Sequence, residues 1–372
     1  MDKKGIIFFV GILVIVLILV GCGKEDVATD ERQNVKETEK KEKKVEEDKN
    51  EKEEKIDNSK KEKEENNDKD VKIGIPSPLS GLYAKEEKVN RRPVAVMIDN
   101  HPRARWQAGI SQAEIVYEFP VEGTYTRYMA IFLINDPSHI GPIRSSRPYF
   151  VSSLLEYDPV YVRVGGSEAA KRDVRNLNVA DIDGLSSSKA VFKRYYKTNK
   201  KAPNNMYSTM DIIRKTQKER GYKLTGDYKG FKFYDKDTDI VGNSAKDVVI
   251  RYNKDNTTEY KYDNKEKIYK RYKDGKLHID ELDNKTLKVK NILIQKAKTT
   301  VIDSEGRLAI DIIGSGKGKY ITNGSIVDIT WKKKTRRSKT IYYDKEGTEL
   351  KLNPGITWIQ VLPNNGQIEI KK

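Results

Sequence analysis

The chain has 372 residues, enough for about two domains, and its 72 Lys and Arg against 56 Asp and Glu give a net charge of +16. It holds one cysteine, Cys22, and three histidines, His101, His139 and His278. Once Cys22 is given to lipid, as argued next, no thiol is left for a disulfide or a thiolate metal site. The three scattered histidines offer little for a metal centre and few bases for a Ser–His mechanism, so neither a metal nor another cofactor is expected.

In chain order, Lys3 and Lys4 precede an apolar run of 16 residues, Gly5 to Val20, followed by Gly21 and Cys22. A basic start, an apolar centre and a small residue before the cut make a secretory signal. The run is short for a membrane span, which needs about 20 residues. Leu19-Val20-Gly21-Cys22 resembles the lipobox of bacterial lipoproteins. That reading gives a signal peptide over 1–21. Cys22 becomes the mature N-terminus and carries diacylglycerol and palmitate-like acyl chains. The protein is then held by membrane lipid on the outer, extracytoplasmic face of the cell membrane. Two acyl chains anchor stably where one does not. The alternative is an uncleaved anchor with an incidental cysteine.

Residues 22–75 read as lipid anchor and charged tether. Residues 23–70 carry 14 Lys and Arg against 19 Asp and Glu with few apolar residues. Such a stretch buries no core and is expected to be disordered or transiently helical. About 50 residues of flexible chain span on the order of 40 Å. The tail is mildly acidic, so the positive charge of the chain lies after it. Outside the cell, that basic part meets anionic lipid head groups, wall teichoic polymers and peptidoglycan carboxylates. Nucleic acid is the usual partner of so basic a chain, but an exported anchor argues against it. The competing explanation is a lysine-rich proteome from an AT-rich genome.

After a lead-in over Gly74–Lys88, an N-terminal domain is expected over 90–225. Pro93 to Ile98 is a continuous apolar run and reads as a buried strand. Glu114–Phe119 and Tyr125–Ile134 read as two further strands, with Gly123 in their turn. Ser146 is expected to cap a helix reaching Tyr157, with Pro148 in its first turn. Val160–Val164 follows as a strand and Glu168–Leu177 as a helix. Ser208-Thr209-Met210-Asp211 opens a helix to Arg220 in the manner of a capping box. From Gly226 the character changes. Short strands and tight turns dominate, among them the type I′ signals Asp274-Gly275 and Asn323-Gly324. A smaller, mostly-β C-terminal domain is expected over 240–372. The fold class is therefore α+β: a mixed α/β domain followed by an all-β one.

The richest window for chemistry is Val121 to Arg127 together with Gly141 to Pro148. Arg144 and Arg147 flank a helix start, which offers free N–H groups and partial positive charge. Two guanidinium forks there suit a carboxylate or a phosphate. Arg127 begins a neighbouring strand. Gly165-Gly166-Ser167 opens a second helix with the same physics. The candidate anion site is thus Arg127, Arg144, Ser145, Ser146, Arg147, Gly165, Gly166 and Ser167. Alternatively these arginines pair with Asp99, Glu114, Glu118 or Glu122 and hold the domain together. Asp99 and Glu122, at strand ends beside the window, are candidate catalytic carboxylates. Gly314-Ser315-Gly316-Lys317-Gly318-Lys319 lacks the Lys-Ser/Thr of a phosphate loop and precedes a strand, so it reads as a mobile β-loop. Trp331 and Trp358 read as core.

Arg92-Pro-Val-Ala-Val-Met-Ile-Asp-Asn100, Val116 to Gly123, Thr126 to Phe132, Gly141 to Pro148 and Gly165-Gly-Ser167 together resemble the YerB-like lipoprotein family of Gram-positive bacteria. Asn323-Gly324, Asp328 to Trp331, Leu352 to Gly355 and Thr357-Trp358 are similar to its C-terminal domain. The resemblance covers nearly everything after the tether. It implies two domains and a surface location, and no established reaction. The family pattern often has histidine where this chain has Arg163 and Asn204. The expected function is that of a membrane-anchored lipoprotein whose basic folded part binds an anionic envelope component or assists wall machinery; a further reading is a scaffold that recruits a wall-enzyme partner and has no ligand of its own. The alternative is a wall-glycan hydrolase or transferase using Asp99 and Glu122, with Arg127 stabilising charge.

Overall fold

Three apolar runs form strands buried along their whole length: β1 (Val94–Asp99), β2 (Ile115–Pro120) and β3 (Thr126–Phe132). Burial without alternation belongs to a sheet covered on both faces. The computed structural model describes residues 72–371. The signal peptide, Cys22 and the tether up to residue 71 lie outside the described residues. Antiparallel β2–β3–β1 is extended by β4 (Val160–Arg163) and β5 (Asp181–Asp183), both parallel to β1. The longer helices of this half are α1 (Pro148–Leu154), α2 (Glu168–Asn176) and α3 (Met210–Glu219). The lead-in is packed: Leu79, Ser77 and Ser80 are buried, and both serine hydroxyls donate to Glu114.

The rest of the described chain is β. Antiparallel β6 (Asp247–Asn253), β7 (Asn256–Asp263), β8 (Ile268–Lys273) and the last strand, Gln367–Lys371, build a second sheet. The strands β9 (Asn291–Ala297), β10 (Gly314–Thr322), β11 (Ser325–Lys333) and β12 (Thr357–Pro363) instead join the first sheet. There β12 lies between β9 and β2, parallel to both. The order β11-β10-β9-β12-β2-β3-β1-β4-β5 therefore runs unbroken through both halves, with Asn243–Ser244 and Ile341–Tyr343 both paired to β11. Asp274-Gly275 and Asn323-Gly324 both take left-handed φ and close two-residue hairpins, as their sequences require. The fold is α+β, as expected.

Side-chain alternation sorts the core into two layers. Val94, Val96, Ile98, Tyr128 and Trp358 face the second sheet and α3. Ala95, Met97, Met129 and Ile359 face α1 and α2. Trp331 and Trp358 are each 2% exposed, in the core as expected.

Two expectations are corrected. The glycine-rich stretch is not a loop: Gly314 to Lys319 is the first part of β10, paired with β11. A Cβ on Gly316 would lie 2.6 Å from the indole nitrogen of Trp331, and one on Gly318 would lie 2.3 Å from the Ile294 carbonyl oxygen. The glycines admit a ring and a neighbouring strand. Ser146 does not cap α1, which starts from Arg147 without a side-chain cap. Its hydroxyl is instead bonded by the Tyr161 hydroxyl at 2.5 Å.

A charged seam lies where the halves meet. Glu118 of β2 accepts from Arg271 of β8 at 2.5 Å, and Lys273 stands 3.7 Å away. All three side chains are fully buried. Arg271 also lies over the Trp358 ring at 4.1 Å. Burial alone would raise the Glu118 pKa, but Arg271, Lys273 and a bond from Thr126 outweigh it and hold the carboxyl below its ordinary range.

Candidate functional site

The end of β1 and the start of β3 are in register, so Asp99 sits beside Arg127. The chain from Ile143 crosses the end of β1, where the Arg144 amide donates to the Met97 carbonyl. These two facts bring Arg127, Arg144, Ser145 and Arg147 to one cleft of about 500 Å³. Asp99, His101 and Glu122 line it too, and so do Glu305 and Arg307 from the C-terminal half.

The three arginines differ in their partners. Arg147 pairs with Glu122 through its Nε and donates to the Ser146 carbonyl at 2.7 Å. Arg144 Nε approaches Asp99 Oδ2 to 3.3 Å but is not aligned for a hydrogen bond. Arg127 is 6% exposed and donates one terminal nitrogen to the Ser145 carbonyl at 2.7 Å. Its Nε has no partner, and no carboxylate among the described residues lies within 4.0 Å of it. Burial and the nearby Arg147 charge both lower its pKa. Of the four carboxylates weighed as partners, Glu114 and Glu118 are used elsewhere. Glu114 accepts from Ser77, Ser80 and the amides of Leu133 and Ile134.

The two acidic candidates are also engaged. Asp99 accepts from the His101 amide at 3.0 Å and from Asn204 Nδ2 at 2.7 Å. Burial pushes Glu122 up, but the hydrogen bond and charge of Arg147 outweigh it, and the carboxyl is held below its usual range.

Other residues of the expected site stand behind the cleft with their polar groups used internally. The Ser146 amide donates to the Gly165 carbonyl, and the Ser167 amide to the Ser146 carbonyl. The Gly165 amide donates to Asp183, and Gly166 bridges to Ser146. Ser167 caps α2 by accepting from the Ala170 amide at 3.3 Å. With seven residues, α1 is also too short for a strong dipole. The cleft is thus built from side chains rather than helix ends. Among the described residues, no group of three or more His, Cys, Asp or Glu is placed to hold a metal.

Sequence reasoning missed Glu305 and Arg307. They sit at the tip of a hairpin, Thr299–Val301 with Leu308–Ile310. Asp303 and Gly306 signal its turn, but nothing local shows that the turn reaches an N-terminal cleft. Of the two positions where the family pattern often has histidine, Arg163 is locked to Asp181 and Asp183, while Asn204 holds Asp99 at the cleft wall.

Residues 79–223 match the "Protein of unknown function (DUF3048) N-terminal domain", and residues 248–359 match its C-terminal domain. The chain belongs to the DUF3048 family. It is 35% identical over 304 residues to "Putative lipoprotein YerB" of Bacillus subtilis (strain 168), covering 80% of this chain and 88% of that protein. The crystal structure of the YerB protein from Bacillus subtilis is similar with a TM-score of 0.72 at 34% identity, covering 79% of this chain and 99% of the other. The resemblance read from the sequence therefore holds. The relative's name, "Putative lipoprotein", agrees with the lipobox-like stretch read from the sequence at Cys22. No helix among the described residues is long and apolar enough to cross a membrane.

Proposed function

We propose that this lipoprotein is anchored through lipidated Cys22 on the outer face of the membrane and binds an anionic envelope component, a phosphate or carboxylate group, at Arg127. The observation that carries this reading is the state of Arg127: buried at a cleft, charged, and without a carboxylate partner. Buried charges are normally paired, so an unpaired one facing a cleft is a place for a ligand's charge. Arg144 adds a fork whose Nε is unsatisfied. The competing acid–base chemistry needs one carboxyl raised so that it starts protonated. Glu122 is held ionised by Arg147, which favours binding over glycan hydrolysis or transfer.

The test is thermal melting of the mature chain carrying Cys22→Ser, with and without inorganic phosphate, citrate or wall fragments. Wild-type Arg127 is expected to give a melting temperature that rises with the anion. Arg127→Met removes a buried charge that has no direct ion pair, so the free variant is expected to melt about as high as wild type and to gain nothing from the anion. Indifference of the wild-type site to every anion, or collapse of Arg127→Met, would retire the reading and leave Arg127 as architecture.

A further inference from the structure

A second cleft, of about 620 Å³, opens on the other side of the same wall. Arg103, Arg105, Lys200, Lys201, Asn204 and Glu281 line it. The wall is the stretch after β1 together with Asn204, whose amide reaches Asp99 of the first cleft at 2.7 Å. His101 lines the first cleft and Arg103 the second. His101 and Arg103 are two residues apart, at most about 7 Å along the chain, so the two clefts are close neighbours across this wall.

The cations of this second cleft fall into two kinds. Lys200 is buried, and its Nζ is fixed by Glu281 and the Trp106 carbonyl, both at 2.5 Å. Arg105 is held by Asp274 at 2.6 Å. These two shape the floor and are spent on the protein. Arg103 and Lys201 are exposed, and no carboxylate among the described residues lies within 4.0 Å of either. The two clefts thus offer a recessed arginine pair, Arg127 with Arg144, and two free cations beyond the wall.

We infer that the ligand is an anionic polymer with repeating phosphate groups, one group seated at Arg127 and Arg144 and the next units running past Asn204 to Arg103 and Lys201. This rests on the anion reading of the first cleft and adds the class of ligand to it. A single small anion would leave the second pair without a role. A flat bilayer of lipid phosphates cannot enter a cleft whose arginine is 6% exposed, whereas a flexible strand can.

The experiment uses the mature chain carrying Cys22→Ser and compares inorganic phosphate, tripolyphosphate, long-chain polyphosphate and phosphatidylglycerol vesicles over a range of salt. Affinity is expected to rise at least tenfold from phosphate to the long chain. Each neutralised phosphate lowers log K by about 0.7–0.9 per tenfold rise in salt. The double substitution Arg103→Ser with Lys201→Ser is expected to leave the phosphate-induced melting shift intact. It should lower long-chain affinity severalfold and flatten its salt slope by about 1 to 2. If phosphate binds at Arg127 but chain length and the double substitution make no difference, the polymer inference fails and the anion site stands. Vesicle binding as strong as that of the long chain, and lost with Arg103 and Lys201, would replace the polymer with a membrane surface. If neither phosphate nor any chain binds, both readings fall together.

Discussion

Lys273 is a lysine that the fold keeps dry, with Glu118 at 3.7 Å and Asp274 at 3.5 Å. Burial lowers its pKa to about 8, against the pull of both carboxylates. An unfolded lysine titrates near 10.4. Below about pH 8 both states hold the proton, and the folded state carries the cost of a buried cation. Between about pH 8 and 10 the folded chain has released a proton that the unfolded chain still binds, so this residue adds stability as pH rises. Urea unfolding at steps across that window should show wild type gaining on Lys273→Met by about 1 kcal/mol per pH unit; a constant gap would mean an ordinary lysine. The sequence shows only part of this. Ile268-Tyr-Lys-Arg-Tyr-Lys273 alternates, and its period states which residues share a face. It does not state that Tyr269, Arg271 and Lys273 are the inward set. That choice is made by Glu118, 153 residues from Arg271. Arg127, Arg144 and Arg147 were legible because they cluster in the sequence itself, but their different partners were not.

At the scale of elements, local chemistry was the readable part. Thr209 caps α3 by accepting from the Ile212 amide, and the two Asn-Gly and Asp-Gly turns close as their φ preferences dictate. The glycine-rich start of β10 misled because glycine's usual message is a turn, while here it makes room for neighbours. That difference is measurable. In Gly318→Ala the new methyl meets a strand carbonyl at 2.3 Å, and in Gly316→Ala it meets the Trp331 ring at 2.6 Å. Overpacking of this kind costs about 1–3 kcal/mol. Gly318→Ala should be the worse of the two in chemical denaturation, since a paired backbone moves less readily than a side chain. Equal, negligible losses would show that β10 yields. Ser146 taught the reverse lesson. A serine before a proline-started helix has the pattern of a cap, yet the Tyr161 hydroxyl takes it, and no local rule reports a partner from another strand.

For the whole molecule, the change of character near Gly226 correctly marks where helices give way to strands. It says nothing of pairing across the chain. Because β12 is hydrogen-bonded to β2 on one side and β9 on the other, neither half has a complete sheet without the other. Unfolding should therefore be one transition, with the fluorescence of Trp106, Trp331 and Trp358 lost together with far-UV dichroism at a single urea midpoint. Two separated midpoints would mean that the halves are independent.

The place of β12 also orders events in time. A chain made from its N-terminus presents β2 early, with one edge of its backbone unpaired, and completes residues 357–363 almost last. Until then that edge is an open template for any passing strand. Strands between the two partners can pair locally, but joining β2 to β12 is a long-range, late event of the kind that slows folding. The same arrangement makes β12 a checkpoint: a chain cut short before Thr357 keeps a sticky edge, and only one that includes residues 357–363 seals it.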